Sequence, residues 1–74
     1  MEATELDLIH RLSQNHDELR HLFARHQGFE KELSRLESVR HPSESERREI
    51  AKLKRQKLAG KDRIRRILAA SAQG

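Results

Sequence analysis

Cysteine, tryptophan and tyrosine are absent from this chain, and Phe23 and Phe29 are its only large aromatic side chains. Without cysteine, the chain can form neither a disulfide nor a zinc site with thiolate ligands. Glycine occurs only three times and proline once, and no glycine-rich loop of the kind that cradles phosphates is present. A small chain without such staples must obtain its stability from long helices or from self-association.

Long hydrophobic runs are also missing. The segment MEATELDLIHRL carries acidic residues early and has no apolar stretch of the length that a secretory signal requires. No other segment approaches the roughly 20 apolar residues of a membrane-spanning helix. These absences predict a soluble, cytoplasmic protein without a membrane partner.

The composition predicts a small domain with a narrow apolar stripe. Of the 74 residues, 34% are hydrophobic and 38% are charged, which leaves too little apolar surface for a substrate cavity together with a core. The serines are not accompanied by a nucleophile elbow or a neighbouring base. We therefore expect a single domain over residues 1–74 that is not an enzyme and has no cofactor and no small-molecule substrate.

Helix boundaries are predicted from proline and from capping signals. Pro42 disfavours a helical conformation in the residue before it, and Ser43 with Glu46 has the spacing of a capping box. Thr4 gives a weaker start signal near the N-terminus. These signals predict helix one at about 5–40, a turn at 41–43, helix two at about 44–70 and a frayed tail at 71–74.

The apolar residues of both predicted helices recur at steps of three and four. A short turn favours an antiparallel arrangement, which would pair Leu19 with Ile64 and Leu33 with Ile50. The fold class expected is all-α, a coiled-coil-like two-helix hairpin, and the capping box argues against one kinked rod. Closure within one chain and exchange of helices between chains both stay open. A homo-oligomer, dimerising into a four-helix bundle, would cover the remaining apolar residues, namely Leu8, Leu22, Phe29, Leu58 and Leu68.

The predicted stripe of helix one includes two histidines, His16 and His26. The polar breaks that bear on the pairing of the helices are His26 on helix one and Lys57 on helix two. The antiparallel pairing places these two residues opposite each other, and Glu30 lies one helical turn from His26. We predict that the three form a structural polar layer that sets the register of the helices. This interpretation is favoured over a catalytic role because no nucleophile converges on His26. The same pairing predicts that the ring of Phe23 packs against Gly60.

Five histidines raise the question of a metal. They are His10, His16, His21, His26 and His41. Ligands on one helix face must lie three or four residues apart, whereas these are separated by at least five. We expect no metal site.

Basic residues concentrate in the second half of the chain. Residues 1–40 hold six Lys or Arg and eight Asp or Glu, whereas residues 41–74 hold ten and four. A basic helix either complements acidic neighbours, including an acidic protein partner, or contacts phosphates. Single-strand or sequence-selective nucleic-acid binding also requires exposed stacking residues, so nucleic acid is the less favoured alternative. The candidates for binding a polyanion or a partner are Arg48, Lys52, Arg55, Arg63 and Arg66.

Two segments, LFARHQGFEKELSRLE and AKLKRQKLAGKDRIRRIL, resemble the YdcH-like family of small bacterial helical-hairpin proteins, a domain family of unknown function. The resemblance implies a helical hairpin in a bacterial cytoplasm and supplies no catalytic residues. Gly60 and Arg63 depart from the family pattern. The function favoured is that of a non-enzymatic helical interaction protein, acting by self-association, by binding a protein partner, or both. The alternative is a basic nucleic-acid-binding protein that uses helix two.

Overall fold

The computed structural model describes residues 2–73, which form three α-helices and contain no strand. They are α1 (Ala3–Ser13), α2 (Asp17–Glu37) and α3 (Glu44–Gln73). The predicted all-helical class is therefore confirmed. The described chain measures 47 × 19 × 17 Å, and its long dimension is that of α3, whose 30 residues span about 45 Å at the helical rise of 1.5 Å per residue.

The prediction of one helix over about 5–40 is wrong, because residues 14–16 interrupt it. His16 has an extended backbone conformation, with φ −139° and ψ 96°. Its Nδ1 accepts a hydrogen bond from the backbone N–H of Leu19 at 3.2 Å, which is the N-cap interaction that Ser or Asp usually makes. Asp17 and Glu18 follow in the first turn of α2, where negative charge stabilises a helix N-terminus. His16 is thus a cap and not a member of the stripe.

Three further boundaries differ from the prediction. The first helix starts at Ala3 and is not capped by Thr4; instead the backbone N–H of Glu2 donates to Glu5 Oε1 at 3.4 Å. The end of α2 is at Glu37, so the connection covers 38–43 and not only 41–43. The predicted frayed tail is helical through Gln73, and Gly74 lies outside the described residues.

The start of α3 has the predicted capping box. The backbone N–H of Glu46 donates to Ser43 Oγ at 3.1 Å, and the backbone N–H of Ser43 donates to Glu46 Oε1 at 2.9 Å. Two backbone donors at the helix N-terminus are satisfied in this way. This local signal fixes Glu44 as the first residue of α3.

The second and third helices pack side by side in opposite directions, around two clusters of buried residues. One cluster includes Leu19 and Ile64, both fully buried, and the other includes Leu33 with Ile50 packed against it. These are the pairs that the antiparallel arrangement predicts. The remaining buried members are Ile9 and Leu68 in the first cluster, and Leu36 and Leu53 in the second.

The short helix α1 folds back onto α2 and α3 at the end far from the 38–43 connection. Ile9 is fully buried in the first cluster, and Glu5 Oε2 accepts a hydrogen bond from Arg65 Nε at 3.3 Å. Leu68 is buried in the same cluster, with 7% of its surface exposed. The expectation that Leu68 stays partly exposed in a single chain is therefore wrong. The sequence pattern did not predict that α1 folds back onto this cluster.

The predicted packing of Phe23 against Gly60 is also wrong. Outside the backbone of α3, no atom lies within 4 Å of the place where a Cβ on Gly60 would stand. The ring of Phe23 instead meets the His10 ring of α1 edge-on, with 5.6 Å between ring centroids and an interplanar angle of 79°. Phe23 therefore packs against α1, a third helix that the sequence pattern did not predict.

Candidate functional site

His26, Glu30 and Lys57 lie together between α2 and α3. Glu30 Oε1 is 2.9 Å from His26 Nε2 and 3.7 Å from Lys57 Nζ. The His26 side chain is buried, the Lys57 side chain is about one-third exposed and the Glu30 side chain is half exposed. One carboxylate therefore receives both partners, and the group is closed on the His26 side and open to solvent on the Glu30 side.

The second ring nitrogen of His26 is a buried polar atom without a partner. Nδ1 has no hydrogen bond within the described part of the chain, although most buried polar atoms in proteins have one. A cavity of about 320 Å³ lies beside it, lined by Leu6 of α1 together with Phe23, His26, Gln27 and Glu30. Residues 2–73 hold no group of three His, Cys, Asp or Glu side chains placed to bind a metal ion. The His26 ring thus has one bonded and one unbonded nitrogen beside Leu6 of the amphipathic helix α1.

A second cavity, which we call the lysine groove, runs between α2 and α3 closer to the 38–43 connection. Its volume is about 390 Å³, and its lining is partly apolar and partly charged. Leu33 and Leu58 are apolar, whereas three lysines and one glutamate are charged. The lining residues are Leu33, Glu37, Lys54, Lys57, Leu58 and Lys61.

Leu58 is the notable member of the lysine groove. With 60% of its surface exposed, it is the one large hydrophobic residue of the described chain that lies open to solvent. Lys57 shares Glu30 with His26, but Lys54 and Lys61 make no ion pair with any carboxylate that the structure describes. An exposed leucine among unpaired lysines has no role in the core of this chain.

Four of the five basic candidates share the outer face of α3, which points away from α2. Arg48, Lys52, Arg55 and Arg66 are exposed, and within residues 2–73 none of them forms an ion pair. Arg63 differs, because its guanidinium binds Glu18 of α2, with Nη2 at 2.9 Å from Oε2. Arg63 thus differs from the other four candidates, because its ion pair joins α2 to α3.

Ion pairs and caps shift the pKa values of three surface carboxylates. The hydrogen bond from Arg65 lowers the pKa of Glu5, with a further contribution from the Glu2 backbone N–H. Arg35 lowers the pKa of Glu32, and that carboxylate in turn raises the pKa of Arg35. The backbone N–H of Ser43 lowers the pKa of Glu46. Glu46 caps a helix, Glu5 binds a cation on another helix and Glu32 binds one on its own helix. None of the three lies in a closed site that would suit acid–base chemistry.

Sequence reasoning missed one feature of this surface, because it left Lys54 and Lys61 out of the candidate residues. It did place Leu58 among the apolar residues that a single hairpin leaves uncovered, and 60% of the surface of this residue is exposed. The residue pair Lys57–Leu58 was the available signal, because only one of two adjacent helix residues can face the seam directly.

The comparisons with known proteins place the chain in a family. A family model described as a protein of unknown function, DUF465, matches residues 19–68. The chain belongs to this family. YdcH-like proteins are DUF465 members, so the resemblance is confirmed. Neither a curated protein nor a solved structure matches the chain.

The DUF465 region contains most of α2 and most of α3, and with them the polar layer and the lysine groove. It begins at Leu19 and leaves α1 outside. None of the helices in the described DUF465 chain combines the length and the apolar character that a membrane crossing requires. The family match carries no activity, so the function must be argued from the surfaces.

Proposed function

We propose that this DUF465 protein is a non-enzymatic helical interaction protein that acts by binding another protein chain. The observation that carries the proposal is the exposure of Leu58 within the lysine groove. An exposed apolar side chain within a charged rim is the composition of a partner-binding surface. The proposal places the protein in the bacterial cytoplasm, the compartment that the YdcH-like resemblance implies.

Self-association belongs to the proposal as one form of this binding. Leu22 and Phe29 stay half-buried on the side of α2 opposite the lysine groove, and the cavity beside Leu22 includes the open space at Gly60. A second copy that covered this side would complete the two-helix pair α2 and α3 as a four-helix bundle. Light scattering over a range of protein concentrations measures this directly, and we expect a dimer.

The decisive experiment compares partner capture by two forms of the protein. Immobilised wild type and immobilised Leu58→Glu are exposed to the same bacterial lysate, and the retained proteins are identified by mass spectrometry. We expect at least one protein to bind the wild type and to be lost with Leu58→Glu, because a carboxylate cannot occupy an apolar contact without cost. Arg48→Glu serves as the control, since it also replaces an exposed α3 residue with glutamate.

The proposal fails if the wild type is monomeric at every concentration and no retained protein depends on Leu58. Circular dichroism of each variant checks that helix content is unchanged. Retention that is lost with Arg48→Glu and kept with Leu58→Glu would instead assign the interaction to the outer face of α3.

Nucleic-acid binding is the second candidate function, and the outer face of α3 favours it. Its four basic residues are exposed and unpaired within the part of the chain that the structure describes. Phosphate backbone contacts need only such a row of cations, and the face offers no aromatic side chain for base stacking. Binding of this kind depends on charge and little on sequence.

The test is a titration of duplex DNA at several salt concentrations. If the outer face binds phosphates, the logarithm of the binding constant falls linearly with the logarithm of salt, and Arg48→Glu with Arg55→Glu removes most of the binding. Affinity that does not change with salt would exclude this function. Because the chain has no Trp or Tyr, nucleic acid retained during purification is also visible as absorbance near 260 nm that a high-salt wash removes.

A further inference from the structure

One side of the α2 and α3 pair is covered by a helix along only half its length. The covering helix is α1, which carries acidic residues and an apolar stripe on one element. Ile9 is buried in the first cluster and Leu6 lines the cavity beside His26, while Glu5 binds Arg65 of α3. The α2 and α3 surface therefore already accepts an acidic amphipathic helix from its own chain.

The lysine groove is the continuation of this same side. On α3, Lys61 lies one helical turn before Arg65, the residue that α1 contacts. On α2, Glu37 lies two turns after Glu30, which lines the cavity under Leu6. The residues that touch α1 and the residues that line the groove thus follow one another along both helices. Where α1 stops, the groove begins.

The groove repeats the chemistry of the covered half. Its lining is apolar at Leu33 and Leu58, as the covered half is apolar at Leu19 and Ile64. The lining also has three lysines against one glutamate, and Lys54 and Lys61 have no carboxylate partner in the described chain. In the covered half, the corresponding α3 cation has its partner, the Glu5 carboxylate. The groove therefore lacks a partner that supplies one apolar stripe and two or more carboxylates.

We propose that the lysine groove binds an acidic amphipathic helix of a different protein, in line with α1. This inference rests on the proposed function and names the partner chemistry of the same site. The helix would insert apolar side chains beside Leu58 and place carboxylates near Lys54 and Lys61, a helix-in-groove mode of recognition. The residues from Lys54 to Lys61 extend over about 11 Å, so the contact is about two helical turns long.

A second copy of this chain does not fit the groove. Its acidic amphipathic helix is α1, whose stripe is already buried against its own α2 and α3. The one large hydrophobic residue that a second copy exposes within residues 2–73 is Leu58. Two such grooves face to face would bring six lysines together, and like charges placed across an interface are repulsive. The self-association proposed above therefore uses the opposite side.

The experiment uses the full chain and a synthetic probe peptide, and it measures fluorescence anisotropy. The probe has leucines on one helical face and glutamates on the flanks, and a scrambled peptide of the same composition is the control. We expect the probe to bind the wild type and the scrambled peptide to bind at least about tenfold more weakly. Leu58→Ser weakens binding about fivefold or more, since it removes the apolar anchor.

Charge reversal separates the groove from the rest of the basic surface. Lys54→Glu with Lys61→Glu weakens probe binding about tenfold or more, because two attractive contacts become repulsive. Arg48→Glu with Arg55→Glu makes the same change in net charge on the outer face of α3, and it leaves binding within about twofold. Circular dichroism confirms that each variant keeps its helices.

Three results would overturn the inference. The first is a probe that binds no better than its scrambled control. The second is an outer-face variant that weakens binding as much as the groove variant does. The third is binding of duplex DNA that requires Leu58. The inference and the proposed function fail separately. If a captured protein depends on Leu58 while the probe does not bind, the groove binds a partner of other chemistry and only the acidic-helix assignment is wrong.

Discussion

At the scale of single residues, His26 is the costly choice in this chain. Its Nε2 reaches Glu30, but its Nδ1 is buried and has no partner among residues 2–73, and an unsatisfied buried polar atom costs about 1–3 kcal/mol. A leucine at the same place would avoid that cost. We propose that the polar layer is retained for register, since only one alignment of α2 and α3 lets Lys57 reach the carboxylate that His26 also uses.

We predict that His26→Leu does not lower the melting temperature and that it loosens the register. The expected result is a thermal transition at or above that of the wild type, with a second set of amide signals in the NMR spectrum from an alternative alignment. His26→Ala is the control for packing, and it lowers the stability by about 2 kcal/mol because it empties a buried site. A sharp fall in melting temperature with a single set of signals in His26→Leu would contradict the register role.

Gly60 is a position where a small substitution should stabilise the helix. The space beside it is open, so a methyl group meets no obstacle, and alanine is about 1 kcal/mol better than glycine within a helix. We predict that Gly60→Ala raises the melting temperature by roughly 4–8 °C. The reverse change at the exposed neighbour, Ala59→Gly, should lower it by a similar amount. An unchanged or lower value for Gly60→Ala would mean that the backbone requires glycine there.

At the scale of elements, the start of α3 was predictable and the start of α2 was not. Ser43 and Glu46 make a two-residue signal whose hydrogen bonds lie within one turn, so local sequence suffices. The cap of α2 is an imidazole, which is not among the preferred N-cap side chains. The chain break that His16 caps lets α1 turn back and bury Ile9 against Ile64 and Leu68, which are far away in sequence. Local patterns do not encode such a contact.

The attachment of α1 to α3 should weaken in acid. Because Arg65 lowers the pKa of Glu5 in the folded chain, the ion pair contributes fully above the ordinary glutamate pKa of about 4.5 and is lost as the pH falls through the lower folded value. We predict faster amide hydrogen exchange in α1 at about pH 3 than at about pH 7, once intrinsic rates are corrected for. In Glu5→Gln this pH effect should be much smaller.

A matched variant tests whether the effect belongs to α1. Glu32 also has a lowered pKa, but its partner Arg35 lies in the same helix. Glu32→Gln should therefore leave the acid response of α1 as it is in the wild type. The prediction is wrong if α1 in Glu5→Gln loosens in acid as strongly as it does in the unmodified chain.

At the scale of the whole molecule, the three helices share one cluster. Ile9 of α1, Leu19 of α2 and Ile64 of α3 are all fully buried within it. The all-helical class and the antiparallel pairs of α2 and α3 followed from apolar periodicity, whereas the third helix did not, because a periodic stripe continues across a break without a change in pattern. The exposure of Leu58 was expected from the same periodicity, because Leu58 lies at the flank of the stripe that a single hairpin leaves uncovered.

We predict that Ile9→Ala destabilises the entire chain and not α1 alone. Truncation of a fully buried isoleucine costs about 2–5 kcal/mol, and unfolding should remain a single transition by circular dichroism, at a lower temperature. Thr4→Ala, at an exposed position of the same helix, is the control and should melt as the wild type does. Separate loss of α1 at low temperature, followed by an unchanged transition of α2 and α3, would show that α1 is not part of the cooperative unit.

The short connection between α1 and α2 has a consequence for competition. Residues 14–16 tether α1 to the surface that it covers, and a tether of this length gives an effective concentration in the millimolar range. A free helix in the cell must compete for that half at its own, far lower concentration. The short connection thus limits the length of the partner helix. A helix of about two turns binds beside α1, whereas a longer one must displace α1 and is outcompeted by it.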